Sequence, residues 1–188
     1  MNEIELKARV KDKNALTEKL NSFATYEGFV IRDDRYFALP QEDGTFSRKK
    51  IRIRKESRNG KISYLVTWKR KEIQQDSHGA SIEVNDEREC IVSDDDCLVS
   101  FLEDSGYKIA LNKHKEVHDW TYEGATFELC TVPPLGDFLE IEILTDSNKP
   151  EEIAAIKEKL HLLLQKAGLT NADLEARMYS QMLAEIKQ

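Results

Sequence analysis

Charged and apolar residues alternate along several segments of the chain, and this alternation restricts the fold more than any other feature. In the stretch MNEIELKARV, Glu3, Glu5 and Lys7 alternate with Ile4 and Leu6. Successive side chains of a β-strand point to opposite faces, so this pattern predicts a strand with one charged and one apolar face. In an ordinary half-buried strand the charged face would be solvated.

The charged faces of the predicted strands are sorted by sign. Like charges two residues apart repel one another unless opposite charges lie nearby, and a solvated face usually mixes both signs. The acidic strands carry Glu3 and Glu5, then Glu83, Glu87 and Glu89, then Glu140 and Glu142; the basic strands carry Lys50, Arg52 and Arg54, then Lys69 and Lys71, then Lys113 and Lys115. A shared interior would bring the two signs together.

Such an interior would suit a particular kind of ligand. Carboxylate oxygens are preferred by Mg2+ and Mn2+, and Mg2+ is often held by one or two carboxylates plus substrate phosphates. Arginine and lysine side chains bind phosphate oxygens. If the strands close into a barrel with the charges inward, a triphosphate with its metal would neutralise both walls. Apolar residues such as Ile51, Ile53, Leu139 and Ile141 would then lie outside, beneath helices.

The chain reads as eight strands and a smaller number of helices. After the opening strand, period-two segments and turn signals predict further strands near 29–39, 49–55, 62–71, 81–92, 108–122, 125–132 and 137–144. Helices are expected over 14–23, after Ser93 and Asp94, after Pro150 and after Gly168. Because no long linker, low-complexity tract or repeat is visible, we expect one domain over residues 1–188.

Composition excludes several classes of protein. No apolar run approaches the roughly 20 residues of a membrane-spanning helix, and the net charge of −7 argues against a nucleic-acid binder. No basic-then-apolar leader is visible, which predicts a cytoplasmic protein without membrane attachment. The three cysteines lack CxxC spacing, which favours reduced thiols used in packing over disulfides or a zinc site.

The order of the charged segments resembles a known family. The opening EIELK fits an ExExK signature, and the IRIR, TWK, ECIVSD, KHK and LGDFLEIEI segments follow it in order. Together they resemble the CYTH domain family, also called the triphosphate tunnel metalloenzymes. The resemblance implies an α+β fold, a closed eight-stranded antiparallel β-barrel with helices packed outside. It also implies a charged lumen that binds a nucleoside or inorganic triphosphate with Mg2+ or Mn2+.

The resemblance also implies roles for individual residues. The expected metal ligands are Glu3, Glu5, Glu140 and Glu142, and the expected catalytic residues are Lys7, Glu87 and Glu89. The expected substrate-binding residues are Lys50, Arg52, Arg54, Lys69, Lys113, Lys115 and Arg177, the last because an Arg and a Tyr of the final helix often lie near the tunnel mouth in this family. Asn85, Lys115 and Cys130 depart from the family pattern, where arginine, arginine and aspartate respectively are frequent.

Three functions stay open from the sequence. The chain is most similar to the class IV adenylyl cyclases, which convert ATP to cyclic AMP and pyrophosphate. An inorganic, nucleoside or thiamine triphosphatase would use nearly the same groups, directing water at the terminal phosphorus. A triphosphate-binding module without turnover is the third option, although acidic residues on three separate strands favour an enzyme. A homodimer is one option for its assembly.

Overall fold

The chain folds into eight β-strands and four α-helices within the residues described. The computed structural model describes residues 2–47, 50–75, 79 and 81–186, without the side chains of 69–73, 81, 83 and 85–87. In chain order the elements are β1 (Asn2–Val10), α1 (Lys13–Asn21), β2 (Thr25–Ala38), β3 (Ile51–Arg58), β4 (Lys61–Gln75), β5 (Ser81–Val92), α2 (Asp96–Asp104), β6 (Lys108–Tyr122), β7 (Ala125–Val132), β8 (Gly136–Thr145), α3 (Pro150–Lys166), a 3-10 turn (Asn171–Asp173) and α4 (Tyr179–Ile186). The predicted α+β fold with eight antiparallel strands is confirmed.

The strands are paired in the order β1-β5-β4-β3-β2-β6-β7-β8. β1 pairs antiparallel with β5 and with β8. One face of this sheet carries the charged side chains, and we call it the inner face. The opposite face carries apolar side chains and is the outer face.

Helices cover the outer face where the strands are most apolar. Ile4, Leu6 and Ala8 of β1 are buried in one cluster with Leu139 and Ile141 of β8 and with residues of α1 and α3. A second cluster joins Phe37, Ile53 and Leu102, which belong to β2, β3 and α2. Burying a large aliphatic side chain contributes about 1.5–3 kcal/mol, so these contacts fix which face of each strand points inward. The predicted outward position of the apolar residues is confirmed.

Helix α3 has the sequence features of a stable helix that packs on a sheet. It begins with Pro150, whose restricted backbone angle suits the first helical turn. Glu151 lies in the same turn, where its negative charge interacts favourably with the helix dipole. Leu160, Leu163 and Leu164 recur at helical spacing and are buried against the strands.

The last helix does not pack on the outside, which corrects part of the sequence prediction. After Gly168 the chain runs back along β1, where Leu174 bridges Ala8 and the Glu175 N–H donates to the Lys7 carbonyl at 2.8 Å. Helix α4 therefore begins only at Tyr179. Two of its buried residues, Tyr179 and Met182, join an inner-face apolar cluster with Val30, Val117, Cys130, Val132 and Phe138.

The two tryptophans also differ. Trp120 is 1% exposed and packs in the cluster beneath α1 and α3, whereas Trp68 is 39% exposed. The Trp68 ring lies beside Arg88 of the neighbouring strand. Cys130 is buried, but Cys90 and Cys97 are exposed, so the prediction of packing thiols holds for one of the three.

Candidate metal and anion site

Charged side chains from strands that are not neighbours meet on the inner face. Arg32 of β2 donates to Glu128 of β7 at 2.6 Å, although β6 lies between these strands. Arg52 of β3 likewise donates to Glu89 of β5 at 2.8 Å across β4. These contacts across an intervening strand bring acidic and basic side chains together on the inner face.

Three of the predicted metal ligands lie together. Carboxylate oxygens of Glu3, Glu5 and Glu142 lie within 4.8 Å of one another, and we call these residues the acidic triad. The pairing of β1 with β8 places Glu5 directly opposite Glu142. Like charges in that relation destabilise a sheet, and three converging carboxylates offer the oxygen ligands that Mg2+ and Mn2+ prefer. The triad is thus suited to bind a divalent cation.

The charge of Glu142 responds to this crowding. Burial, together with the negative charges of Glu128, Glu5 and Glu140, raises the pKa of Glu142 to about 8. At neutral pH, protonation of this one carboxyl therefore relieves the repulsion in the triad. A bound cation would relieve it in the same way, and Glu142 would then be ionised.

Glu140, the fourth predicted ligand, belongs to a different group. Lys115 is 4% exposed, and its ammonium contacts Glu140 and, at 3.0 Å, Glu128. Arg32 bonds the other oxygen of Glu128 and also bonds Glu56 at 2.9 Å. We call Lys115, Glu128, Glu140, Arg32 and Glu56 the buried ion-pair network. The carboxylates of this network are neutralised by cations of the same chain, and Glu140 is already paired with Lys115.

The pKa values of this network reflect the pairing. Burial alone would raise the pKa of Glu128, but Lys115 and Arg32 hold it well below its usual range. Burial likewise opposes the charge of Lys115, whose pKa is nevertheless raised well above normal by nearby negative groups, including Glu128 and Glu140. The neighbouring Cys130 thiol lies 3.7 Å from Glu140, and burial raises its pKa, which keeps it protonated.

Three predicted phosphate-binding residues lie on the inner face of β3 and β6, the strands on either side of β2: Arg52, Arg54 and Lys113, which we call the basic cluster. Arg52 donates to Thr67 at 2.9 Å as well as to Glu89. Arg54 and Lys113 both contact a buried carboxylate, Asp34. Arginine forks and lysine ammonium groups held side by side in this way are suited to an anion with several phosphoryl oxygens.

Lys7 and Arg177 meet just before the start of α4. The Lys7 ammonium donates to the carbonyl oxygen of Arg177 at 2.7 Å and lies 4.6 Å from the centre of the Tyr179 ring. The Arg177 guanidinium instead bonds Glu175 at 2.6 Å and Glu185 at 3.0 Å, and its side chain is 48% exposed. Arg177 precedes α4, and the residue of this segment that lies among the inner lysines is Tyr179.

The other predicted residues are only partly described. Lys50 directly precedes β3 and is half-buried. The backbones of Lys69 and Glu87 are paired opposite each other on β4 and β5. Their side chains, like those of Lys71 and Glu83, lie outside the described residues.

Several inner-face residues are not among those predicted from the sequence, although the same alternation identifies most of them. The sequence predicts the strand near 29–39 without assigning its charges to a face, and it does not single out the acidic residue of FELC. The missed residues are Arg32, Asp34, Tyr36, Glu56, Arg58, Asp119 and Glu128. Tyr179 is different, because its position depends on how the C-terminal segment returns to the sheet.

Comparison with solved structures finds the same fold in other proteins. The PH1819 protein of Pyrococcus horikoshii OT3 is 28% identical, with a TM-score of 0.78 over 98% of this chain and 99% of that chain. A Vibrio parahaemolyticus protein proposed to be an adenylate cyclase is 21% identical, with a TM-score of 0.76 over 97% of each chain. A Hippeastrum protein proposed to be an adenylyl cyclase, and described as having a dominant triphosphatase activity, is 17% identical, with a TM-score of 0.62 over 98% of this chain and 95% of that chain.

None of the helices in the described part of the chain has the length and apolar character needed to cross a bilayer.

Comparison of the sequence with curated proteins finds no match. A family model described as the CYTH domain matches residues 1–179. The chain therefore belongs to the CYTH domain family.

Proposed function

We propose that this protein is a divalent-metal-dependent enzyme that acts on a triphosphate. The observation that carries the proposal is the presence of the acidic triad and the basic cluster on one inner face of the sheet. We propose that this sheet closes into a tunnel in which the triphosphate and its metal lie between the two groups. CYTH membership and the activities ascribed to the Vibrio and Hippeastrum neighbours support the same substrate class.

The residues divide the work by charge. Glu3, Glu5 and Glu142 would hold Mg2+ or Mn2+, and their three carboxylates fit such an ion. When bound, the cation supplies Lewis-acid chemistry toward phosphoryl oxygens. The described cations of the basic cluster, Arg52, Arg54 and Lys113, would bind and orient the phosphate chain and stabilise charge that develops on the departing group.

Glu140 would contribute indirectly, because Lys115 already binds it. The buried ion-pair network is rigidly paired, so it would support the strands that carry Glu142 and Lys113 without binding substrate itself. Lys7 lies close to Glu140 on the paired strand and would orient the phosphate chain from the β1 side.

Two reactions fit these groups. Conversion of ATP to cyclic AMP and pyrophosphate follows from the sequence likeness to class IV adenylyl cyclases. Hydrolysis at the terminal phosphorus is the second candidate, and the dominant triphosphatase activity ascribed to the Hippeastrum neighbour favours it. The pose of the triphosphate decides between them, since the nucleophile must lie in line with the bond that breaks.

Product analysis tests the proposal. The purified protein is incubated with ATP and, separately, with inorganic triphosphate, each with Mg2+, with Mn2+ and with excess chelator. We expect metal-dependent consumption of at least one substrate. Cyclic AMP with pyrophosphate identifies the cyclase; phosphate with ADP, or phosphate with pyrophosphate, identifies the triphosphatase. Tight triphosphate binding without any turnover would contradict the enzyme proposal and favour a binding module.

A further inference from the structure

One buried carboxylate joins two cations of the basic cluster. The Asp34 side chain of β2 is 0% exposed. Its Oδ1 accepts from Arg54 Nε at 2.7 Å, and its Oδ2 accepts from Arg54 Nη2 at 3.2 Å and lies 3.0 Å from Lys113 Nζ. Arg54 comes from β3 and Lys113 from β6, the two strands that flank β2. Asp34 is therefore the point at which three adjacent strands are tied together on the inner face.

Tyr36 extends the same arrangement along β2. The Lys113 ammonium donates to Tyr36 Oη at 3.3 Å and lies 5.7 Å from the centre of its ring. Burial alone would raise the pKa of Asp34. The positive charge of Lys113 and, to a smaller extent, that of Arg54 nevertheless hold this pKa well below its usual range. Asp34 is thus a fixed negative charge beneath two positive ones.

The arrangement has a cost that calls for an explanation. An anion-binding surface attracts phosphate through its net positive charge, and a carboxylate in contact with two of its cations reduces that charge. On electrostatic grounds alone, Asp34 therefore weakens the attraction for a triphosphate. Its benefit has to be geometric: Arg54 and Lys113 repel each other, and both have long side chains with many rotamers.

We propose that Asp34, assisted by Tyr36, is a positioning residue that holds Arg54 and Lys113 in one fixed arrangement for binding a triphosphate. This inference rests on the function proposed above. With the cations fixed beforehand, binding of the phosphate chain does not have to immobilise two flexible side chains. Asp34 contacts the cations themselves, so its proposed role is exerted through Arg54 and Lys113.

The sign of one measurement separates positioning from simple electrostatics. Inorganic triphosphate is titrated calorimetrically into the wild-type protein and into Asp34→Asn, which keeps the size of the side chain but removes its charge. Simple electrostatics predicts tighter binding by the variant, because a negative charge is lost near the anion. Positioning predicts weaker binding, by about ten- to a hundredfold, the scale of a charge-assisted hydrogen bond.

The chain supplies a matched control at the preceding position. Asp33 lies on the opposite face of the same strand, is exposed, and bonds His114 Nδ1 at 2.7 Å. Asp33→Asn removes the same charge from the same strand without touching the basic cluster, so its triphosphate affinity should equal that of the wild type. Circular dichroism shows whether each variant is folded.

Tyr36→Phe keeps the inference testable if Asp34→Asn does not fold. It removes the hydroxyl that accepts from Lys113 and contacts Asp34, and it should weaken triphosphate binding by about three- to tenfold. Where Asp34→Asn folds, the double variant Asp34→Asn with Arg54→Ala should lose less than the sum of the two single losses, because both changes act through Arg54. Additive losses would show that Asp34 affects binding independently of Arg54.

The outcomes distinguish this inference from the proposed function. If the wild type does not bind inorganic triphosphate, the proposed function fails and takes the inference with it. If the wild type binds but Asp34→Asn binds equally well or more tightly, the inference alone is overturned. Unchanged binding by Tyr36→Phe would overturn it as well. Weaker binding by both variants, with Asp33→Asn unchanged, would support it.

Discussion

The acidic triad and the buried ion-pair network lie on the same inner face but treat their carboxylates in opposite ways. In the network, Glu128 is ionised because Lys115 and Arg32 hold it, whereas the pKa of Glu142 in the triad is raised to about 8 by burial and like charges. Both groups are built from charges on strands, so strand geometry is not what separates them. The difference is that cations of the chain hold the carboxylates of the network, whereas burial and like charges act on Glu142 in the triad.

Removing charge from the triad should have the largest effect on activity. Glu3→Gln together with Glu5→Gln should abolish Mg2+- or Mn2+-dependent turnover, because two of three cation ligands lose their charge. In the absence of metal the same variant should melt at a higher temperature than the wild type, since repulsion is removed. Product assays and thermal unfolding with chelator measure both effects.

A matched pair on the surface controls for this prediction. Glu103→Gln with Asp104→Asn removes two adjacent charges from the exposed end of α2. This variant should keep wild-type turnover. Full metal-dependent activity in the triad variant would contradict the assignment of Glu3 and Glu5 as cation ligands.

Removing charge from the network should instead be destabilising. Lys115→Met leaves Glu128 and Glu140 buried without their shared ammonium, and breaking a buried ion pair costs about 3–5 kcal/mol. The free energy of unfolding in urea is the measurement, with the exposed Lys108→Met as control. If the two variants unfold alike, the network does not stabilise the fold as its contacts indicate.

The two arginines of the basic cluster provide an intermediate comparison. Arg52→Ala and Arg54→Ala should each weaken binding of inorganic triphosphate by roughly 1.5–3 kcal/mol, one charge-assisted contact. Their effects on folding should differ, because the Arg54 partner Asp34 is 0% exposed and the Arg52 partner Glu89 is 38% exposed. Arg54→Ala should therefore lower the free energy of unfolding more.

The outer-face Arg88→Ala serves as the control for both arginine variants. It removes a positive charge of the same type without changing the basic cluster. If calorimetry gave the same triphosphate affinity for all three variants and for the wild type, the assignment of Arg52 and Arg54 as phosphate-binding residues would be wrong.

The sequence predicts the faces of the strands better than it predicts the partners on them. The two-residue period is set by backbone geometry, so the alternation assigns Glu3 and Glu5 to the charged face of β1 and Glu142 to the charged face of β8. The pairing of Glu140 with Lys115 does not follow from the alternation, because it depends on the register and tilt of three strands. No local pattern encodes which cation will lie over which carboxylate.

The C-terminal segment shows the same limit for helices. The helix predicted after Gly168 is present, but the chain first forms the bridge between Leu174 and Ala8, and α4 begins only at Tyr179. That long-range contact brings Tyr179 among the inner lysines and leaves the Arg177 guanidinium bonded to Glu175 and Glu185. An assignment of Arg177 from sequence has no means of anticipating it.

The smallest expected effect is a pH dependence that belongs to the triad alone. A cation requires ionised ligands, so with a Glu142 pKa of about 8, Mn2+ affinity should rise close to tenfold between pH 7 and pH 9. Because that pKa is raised above the unfolded value, Glu142 stabilises the metal-free protein at low pH, and this contribution is lost as the pH rises through about 8. Glu142→Gln should therefore flatten the pH dependence of Mn2+ binding in calorimetry and melt above the wild type at pH 9 with chelator. An equally steep pH dependence in Glu142→Gln would place the titrating group elsewhere.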